Sequence, residues 1–100
     1  MAYANALAVL ADPTRRKVLE LLTQRPRTVG EIAAELPVSR PAVSQHLKVL
    51  KEADLVDLRQ EGARHVYSAR PEQLGELRSY VDRMWQDVLA QYEQSAKEDD

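Results

Sequence analysis

The chain has 100 residues and a mass of 11.3 kDa, room for one small domain. It is 44% hydrophobic and 30% charged, the balance of an ordinary folded domain, and its lack of Cys excludes a disulfide scaffold, thiolate metal sites and a cysteine nucleophile. The net charge of −2 hides an asymmetry. Residues 1–70 hold 11 basic side chains against 8 acidic, and residues 71–100 hold 3 against 8. A basic binding body with an acidic tail and a set of ordinary solvated helix faces both fit that pattern. No apolar run approaches the roughly 20 residues of a membrane span, and Met1, Ala2 and Tyr3 do not open a signal peptide, so the cytosol is the expected compartment. With five aromatics and no Phe, the core falls to Leu, Val, Ile and Ala, which suits packed helices.

A short helix is expected over residues 3–10. Asp12 and Pro13 then start a second: Asp caps orphan N–H groups and Pro fits the first turn. Its apolar stripe, Val18, Leu19, Leu21 and Leu22, runs out by Gln24, and Arg25 and Pro26 break the chain. Thr28 and Glu31 have capping-box spacing, and Val29, Ile32, Ala33 and Leu36 follow at helical steps. Pro37 ends that helix by pushing Leu36 out of the helical region. Ser39 can cap the next, whose buried face is Val43, Leu47 and Leu50 and whose end falls near Ala53. Two β-rich runs, 55–60 and 64–69, are joined by Glu61, Gly62 and Ala63, with Gly supplying the positive φ of a tight turn. Pro71 opens the last helix. Its stripe of Leu74, Leu77, Val81, Met84, Val88 and Tyr92 is widened by Tyr80, Trp85 and Leu89, and fraying is expected beyond Glu93.

Two short helices joined by Pro37, Val38 and Ser39, followed by a hairpin, have the form of a winged helix-turn-helix. The fold expected is mainly α with a small β-hairpin and about five helices. At ~100° per residue, Leu47 and Leu50 lie within about 40° of Val43, while Pro41, Ser44, Gln45 and Lys48 fall on the opposite half. Arg40 stands at the exposed N-terminal edge, and no acid appears on that face before Glu52. This is the chemistry that reads DNA: Arg bridges guanine O6 and N7, Gln pairs with adenine, and Lys and Ser reach base edges or phosphates. Arg59 and Arg64 flank the hairpin tip and can grip the backbone or minor groove. The candidate DNA-binding set is Thr28, Ser39, Arg40, Pro41, Ser44, Gln45, Lys48, Arg59 and Arg64. A winged helix that binds protein and no operator has the same fold, but it would place exposed aromatics or aliphatics on that face.

The stretches AVLADPTRRKVLELL (residues 8–22), VSRPAVSQHLKVLKEA (38–53) and EGARHVY (61–67) resemble the arsenic-repressor (ArsR/SmtB) family of bacterial transcriptional regulators. The resemblance spans about Leu7 to Tyr67. It implies a five-helix winged homodimer that represses its own operon from a palindromic operator. Ser39, Arg40, Ser44, Gln45 and Lys48 then match the reading-helix contacts, and Arg59 and Arg64 the wing. Two departures stand out. Pro37 occupies a turn position where the family usually has Gly, which puts the turn geometry in question. The metal-sensing members carry a Cys pair where this chain reads Val29, Gly30 and Glu31, and His and carboxylates on the last helix, whereas no His here lies beyond His65. No metal or cofactor is therefore expected. Any effector is a small organic molecule or a partner protein.

No phosphate loop, nucleophile elbow or paired catalytic carboxylate appears, so an enzyme is not expected. His46, at the edge of the buried face, reads as a packed, hydrogen-bonded residue; His65, in the wing, suits DNA contact or a cross-strand role. Arg15 is expected to lay its stem on the core with its head on a carboxylate, and Arg16 to do the same or meet phosphate. The last helix carries more apolar surface than the body can cover. A dimer seam shared with the first helix, comprising Tyr3, Leu7, Leu77, Val81, Met84, Trp85, Val88 and Tyr92, follows from this. The expected organisation is one domain over 1–93 (helix-turn-helix 28–53, wing 55–69, dimerisation helix 71–93) with an acidic tail over 94–100.

Overall fold

The computed structural model describes the backbone of residues 3–98 and the side chains of residues 5–95. In chain order the elements are α1 (Tyr3–Val9), α2 (Pro13–Gln24), α3 (Val29–Glu35), α4 (Arg40–Glu52), β1 (Val56–Glu61), β2 (Arg64–Ala69) and α5 (Pro71–Glu98). The start of each middle helix is set by the residue the sequence marks for it. Asp12 accepts from the N–H of Arg15 with Pro13 in the first turn, Thr28 and Glu31 form both bonds of a capping box, and Ser39 accepts from the N–H of Ala42. Val18, Leu22, Ile32, Val43, Leu47, Leu50, Leu55 and Val56 meet in one core, to which α1 and the start of α5 add Ala6, Val9 and Leu77.

The end of α4 is a Schellman motif. Asp54, in the left-handed region at φ 62°, donates its N–H to Lys51 O, and Leu55 donates to Leu50 O at 3.0 Å. Leu55, assigned by its sequence to the first strand, is thereby drawn down as a buried plug, and β1 begins one residue later. The hairpin register runs from Val56 opposite Ala69 to Glu61 opposite Arg64. Glu61 is consequently the last residue of β1 and the loop is Gly62 and Ala63 alone. Gly62 has φ 61° at the first loop position, where a type II′ turn requires it.

A two-stranded hairpin is marginal by itself. This one is tied down by Arg27, whose backbone N–H and carbonyl exchange bonds of 2.9 and 2.8 Å with Tyr67. The Arg27 side chain is buried, donating to Leu21 O, to Gln24 Oε1 and to Glu35 Oε1 at 2.8 Å. One residue in the α2–α3 connection thus joins the helix-turn-helix to its wing.

α5 continues to Glu98, beyond the Glu93 at which the sequence suggests fraying; no Gly or Pro interrupts residues 94–98. Only its first turns meet the body. Leu77, grouped with the outer seam in the sequence, is 6% exposed and belongs to the core, whereas Trp85 and Tyr92 are 60% and 72% exposed. Leu7 is partly buried against the same core, and the side chain of Tyr3 lies outside the described residues. No helix among the described residues is long and apolar enough to cross a membrane.

Candidate nucleic-acid interface

Pro37 is accommodated without a left-handed residue. Leu36 is extended at φ −125° and ψ 148°, and Val38 donates to Leu36 O at 2.8 Å, a three-residue turn around the proline. The turn delivers Ser39 as the cap of α4 and projects that helix outward. Ser39, Arg40, Pro41, Ser44, Gln45 and Lys48 are all exposed, while Val43, Leu47 and Leu50 on the other side are fully buried. Among the described residues, nothing bonds to the side chains of Ser44, Gln45 or Lys48. Arg40 folds back over α3, with its guanidinium so close to Gly30 that a β-carbon there would lie 3.1 Å from Nη2. Glycine at this position makes room for the arginine.

Between the N-termini of α3 and α4 and the hairpin tip lies an open groove of about 500 Å³, lined by Thr28, Val29, Gly30, Arg40, Ala63, Arg64 and His65. α4 and the wing therefore border one groove, with Arg40 on one side and Arg64 on the other. His65, which the sequence leaves between two roles, faces this groove.

Four of the predicted contact residues are already engaged within the chain, Ser39 through the Ala42 N–H that its hydroxyl oxygen accepts. Arg59 pairs with Glu61 at 2.7 Å along the same strand face. Arg64 Nη2 lies 2.9 Å from Glu31 Oε1. The hydroxyl of Thr28 accepts from the Glu31 N–H and donates to the Glu31 carboxylate, so it is committed to the capping box. Glu31 also takes Arg25 Nη1 on Oε2 at 3.1 Å. Arg25 foremost, then the backbone N–H and hydroxyl of Thr28, hold this carboxyl at about 2, well below its ordinary 4.5. Neither Glu31's link to the wing nor the buried Arg27 was singled out from sequence. Arg64 and Glu31 are 33 residues apart, and no periodicity relates them.

The expectations for Arg15, Arg16 and His46 need correction. Arg15 donates to the carbonyl of Val9 at 3.0 Å instead of to a carboxylate, because the C-terminus of α1 brings orphan carbonyls to it. Arg16 reaches Leu10 O at 3.4 Å in the same way. His46 is packed, but its buried Nδ1 has no hydrogen-bond partner. Among the described residues no three His, Asp or Glu side chains gather in a metal-binding group.

Residues 12–57 match the family of bacterial regulatory proteins called the arsR family. The chain is 54% identical over 90 residues to the HTH-type transcriptional regulator Rv2034 of Mycobacterium tuberculosis, covering 90% of this chain and 84% of that protein. The chain belongs to the arsR family. A second relative of this arsR-family regulator is the transcriptional repressor SdpR of Bacillus subtilis, 39% identical over 64 residues, which are 64% of this chain and 71% of the relative. Among solved structures, the homodimeric winged helix-turn-helix DNA-binding domain of Mb0332 from Mycobacterium bovis superposes with a TM-score of 0.68 at 31% identity, covering 86% of this chain and 80% of that one. The arsR-family chain is thus a winged helix-turn-helix transcriptional regulator that acts on DNA and is not an enzyme.

Proposed function

We propose that this regulator is a homodimeric repressor of its own operon that occupies a palindromic operator, with α4 in the major groove and the wing on the adjoining backbone. The observation that carries the reading is the α4 face. Arg40, Ser44, Gln45 and Lys48 are exposed together beside Arg64, with no acidic residue on the helix before Glu52. Arg40 and Gln45 are the base readers, Ser39 and Lys48 serve phosphates, and Arg59 and Arg64 hold the flanking backbone. Pro41 and Thr28 shape the approach, since one has no donor and the other's hydroxyl is taken. The exposed half of α5, with the Mycobacterium bovis homodimer as precedent, supports the seam of Val81, Met84, Trp85, Val88 and Tyr92. No metal is assigned, because the chain has no Cys and no His beyond His65, and so lacks the ligands of both family sites.

Footprinting of the purified protein on the DNA upstream of its own coding sequence tests this. The expected result is a protected segment of two inverted half-sites about one helical turn, ~34 Å, apart. Absence of protection there overturns autorepression, and a single unrepeated half-site overturns the symmetric dimer.

A further inference from the structure

The Glu31 carboxylate is an acid built into a surface read as meeting DNA. It belongs to the first turn of α3, whose Thr28, Val29 and Gly30 line the groove, and two arginines from different parts of the chain converge on it. Oε2 receives Arg25; Oε1 receives Arg64 at 2.9 Å, the Thr28 N–H at 3.1 Å and the Thr28 hydroxyl at 3.0 Å. The four donors are not equivalent. The two from Thr28 come from the N-cap residue of α3 itself and stay with that helix. Arg25 follows the C-terminus of α2. Arg64 alone sits on the hairpin next to the loop, 63% exposed, with one guanidinium nitrogen on the carboxylate. When Arg64 departs, Glu31 still has three donors, so the carboxylate remains charged and satisfied.

We propose that Glu31 is the internal counter-ion of the wing: it holds Arg64 in the DNA-free protein and yields it to a backbone phosphate on binding. This rests on the reading that α4 and the wing contact DNA. A phosphate offers Arg64 the same geometry as a carboxylate, with room for two parallel bonds, and exchange of one anion for another leaves no charge stranded. The carboxylate therefore subtracts from the sequence-independent part of the affinity, which phosphate contacts supply, and leaves base reading by α4 untouched. It makes random DNA a poorer resting place without weakening the preference for the operator. Glu31 is thus a positioning residue that acts through Arg64.

The test uses two labelled duplexes, one selected from a randomised pool by the wild-type protein and one of random sequence. Binding is titrated at fixed salt for wild type, Glu31→Gln, Arg64→Ala and the double variant. Gln at this position preserves the capping box, and urea unfolding checks that the helix and wing are intact. Glu31→Gln is expected to tighten both duplexes by about twofold to fivefold, the range of an exposed ion pair released from the unbound state. The ratio between the two duplexes should stay constant, and the gain should vanish in the Arg64→Ala background. As a variant that leaves the cap whole, Arg25→Ala gives Arg64 a less contested hold on Glu31 and should weaken both duplexes by up to about twofold, but only while Glu31 is present. A gain of equal size with and without Arg64 overturns the proposal in favour of simple repulsion between Glu31 and DNA. Weaker binding by Glu31→Gln overturns it too, because Glu31 would then orient Arg64 in the complex. Should Arg64→Ala bind like wild type, the wing contact falls and the exchange with it; unaltered wing dependence without the Glu31 effect removes the exchange alone.

Discussion

Arg27 shows how a charged residue can hold a fold together while leaving little trace in sequence. Its side chain is buried because it has fixed partners, two carbonyl-type oxygens and one carboxylate, arranged around the planar fork that guanidinium presents. Arg27→Ala should cost about 2–3 kcal/mol in urea unfolding, the scale of charge-assisted hydrogen bonds lost together with a buried stem. Arg27→Lys should recover only part of it. Glu31 supplies a pH signature. Its carboxyl is held at about 2, below the 4.5 of an unpaired glutamate, so the unfolded chain takes up the proton first. The stabilisation is therefore fully present above about pH 4.5 and is lost as the pH falls toward 2. Unfolding titrations over that window should give a shallower pH dependence for Glu31→Gln than for wild type. On the reading helix, Arg40→Ala and Gln45→Ala should relax base preference at about 1–3 kcal/mol each, whereas Lys48→Ala should weaken every sequence alike and lower the salt slope by about one. An unchanged operator-to-random ratio in Arg40→Ala would remove Arg40 from base reading.

Among the elements, the connections on either side of α4 show how one helix is aimed. Its entry uses Pro37 in a turn closed by Val38 N–H to Leu36 O with Leu36 extended, so the turn needs no left-handed residue. Pro37→Gly should consequently destabilise by about 0.4–1 kcal/mol through the greater freedom of the unfolded chain. At the exit, Asp54 sits at φ 62°, and Asp54→Gly should stabilise by up to about 1 kcal/mol by relieving the side chain there. Thermal unfolding of the pair tests both signs, and stabilisation by Pro37→Gly would contradict the turn described. These elements were legible because their signals are local: Asp12 with Pro13, Thr28 with Glu31, Ser39 before Pro41, and Gly62 in the hairpin each act within four residues. The wheel of α4 likewise separates the exposed Ser44, Gln45 and Lys48 from the buried Val43, Leu47 and Leu50. What the sequence did not disclose is non-local. The Arg27–Tyr67 bridge, the Glu31–Arg64 pair and the docking of Arg15 on the end of α1 depend on which elements meet, and helical or strand periodicity carries no information about that.

At the scale of the molecule, shape argues for a second copy. A compact domain of 100 residues has a radius of gyration of about 13 Å. This chain has 17.4 Å and spans 65 × 26 × 21 Å, because α5 runs out past the body that covers its first turns. Val81, Met84, Trp85, Val88, Leu89 and Tyr92 lie exposed along that projecting half. A helix with such an apolar stripe is stable when the stripe is covered, and aromatic anchors beside Met are what a packed interface uses. Two chains joined there by a two-fold axis present two α4 helices to one face of DNA, and linking two weak half-site contacts raises affinity by about 10²–10⁴ without a new contact. Trp85→Glu and Met84→Asp place a charge in the middle of the seam, where it would be buried without a partner. Both variants should sediment as monomers that retain the helical circular dichroism of the body, since neither residue belongs to its core, and both should lose operator binding at nanomolar concentration. A stable dimer in both variants would move the seam off this stripe. Monomers with undiminished affinity would show that a single winged unit suffices for the operator, and the projecting half of α5 would then need a different partner to cover it.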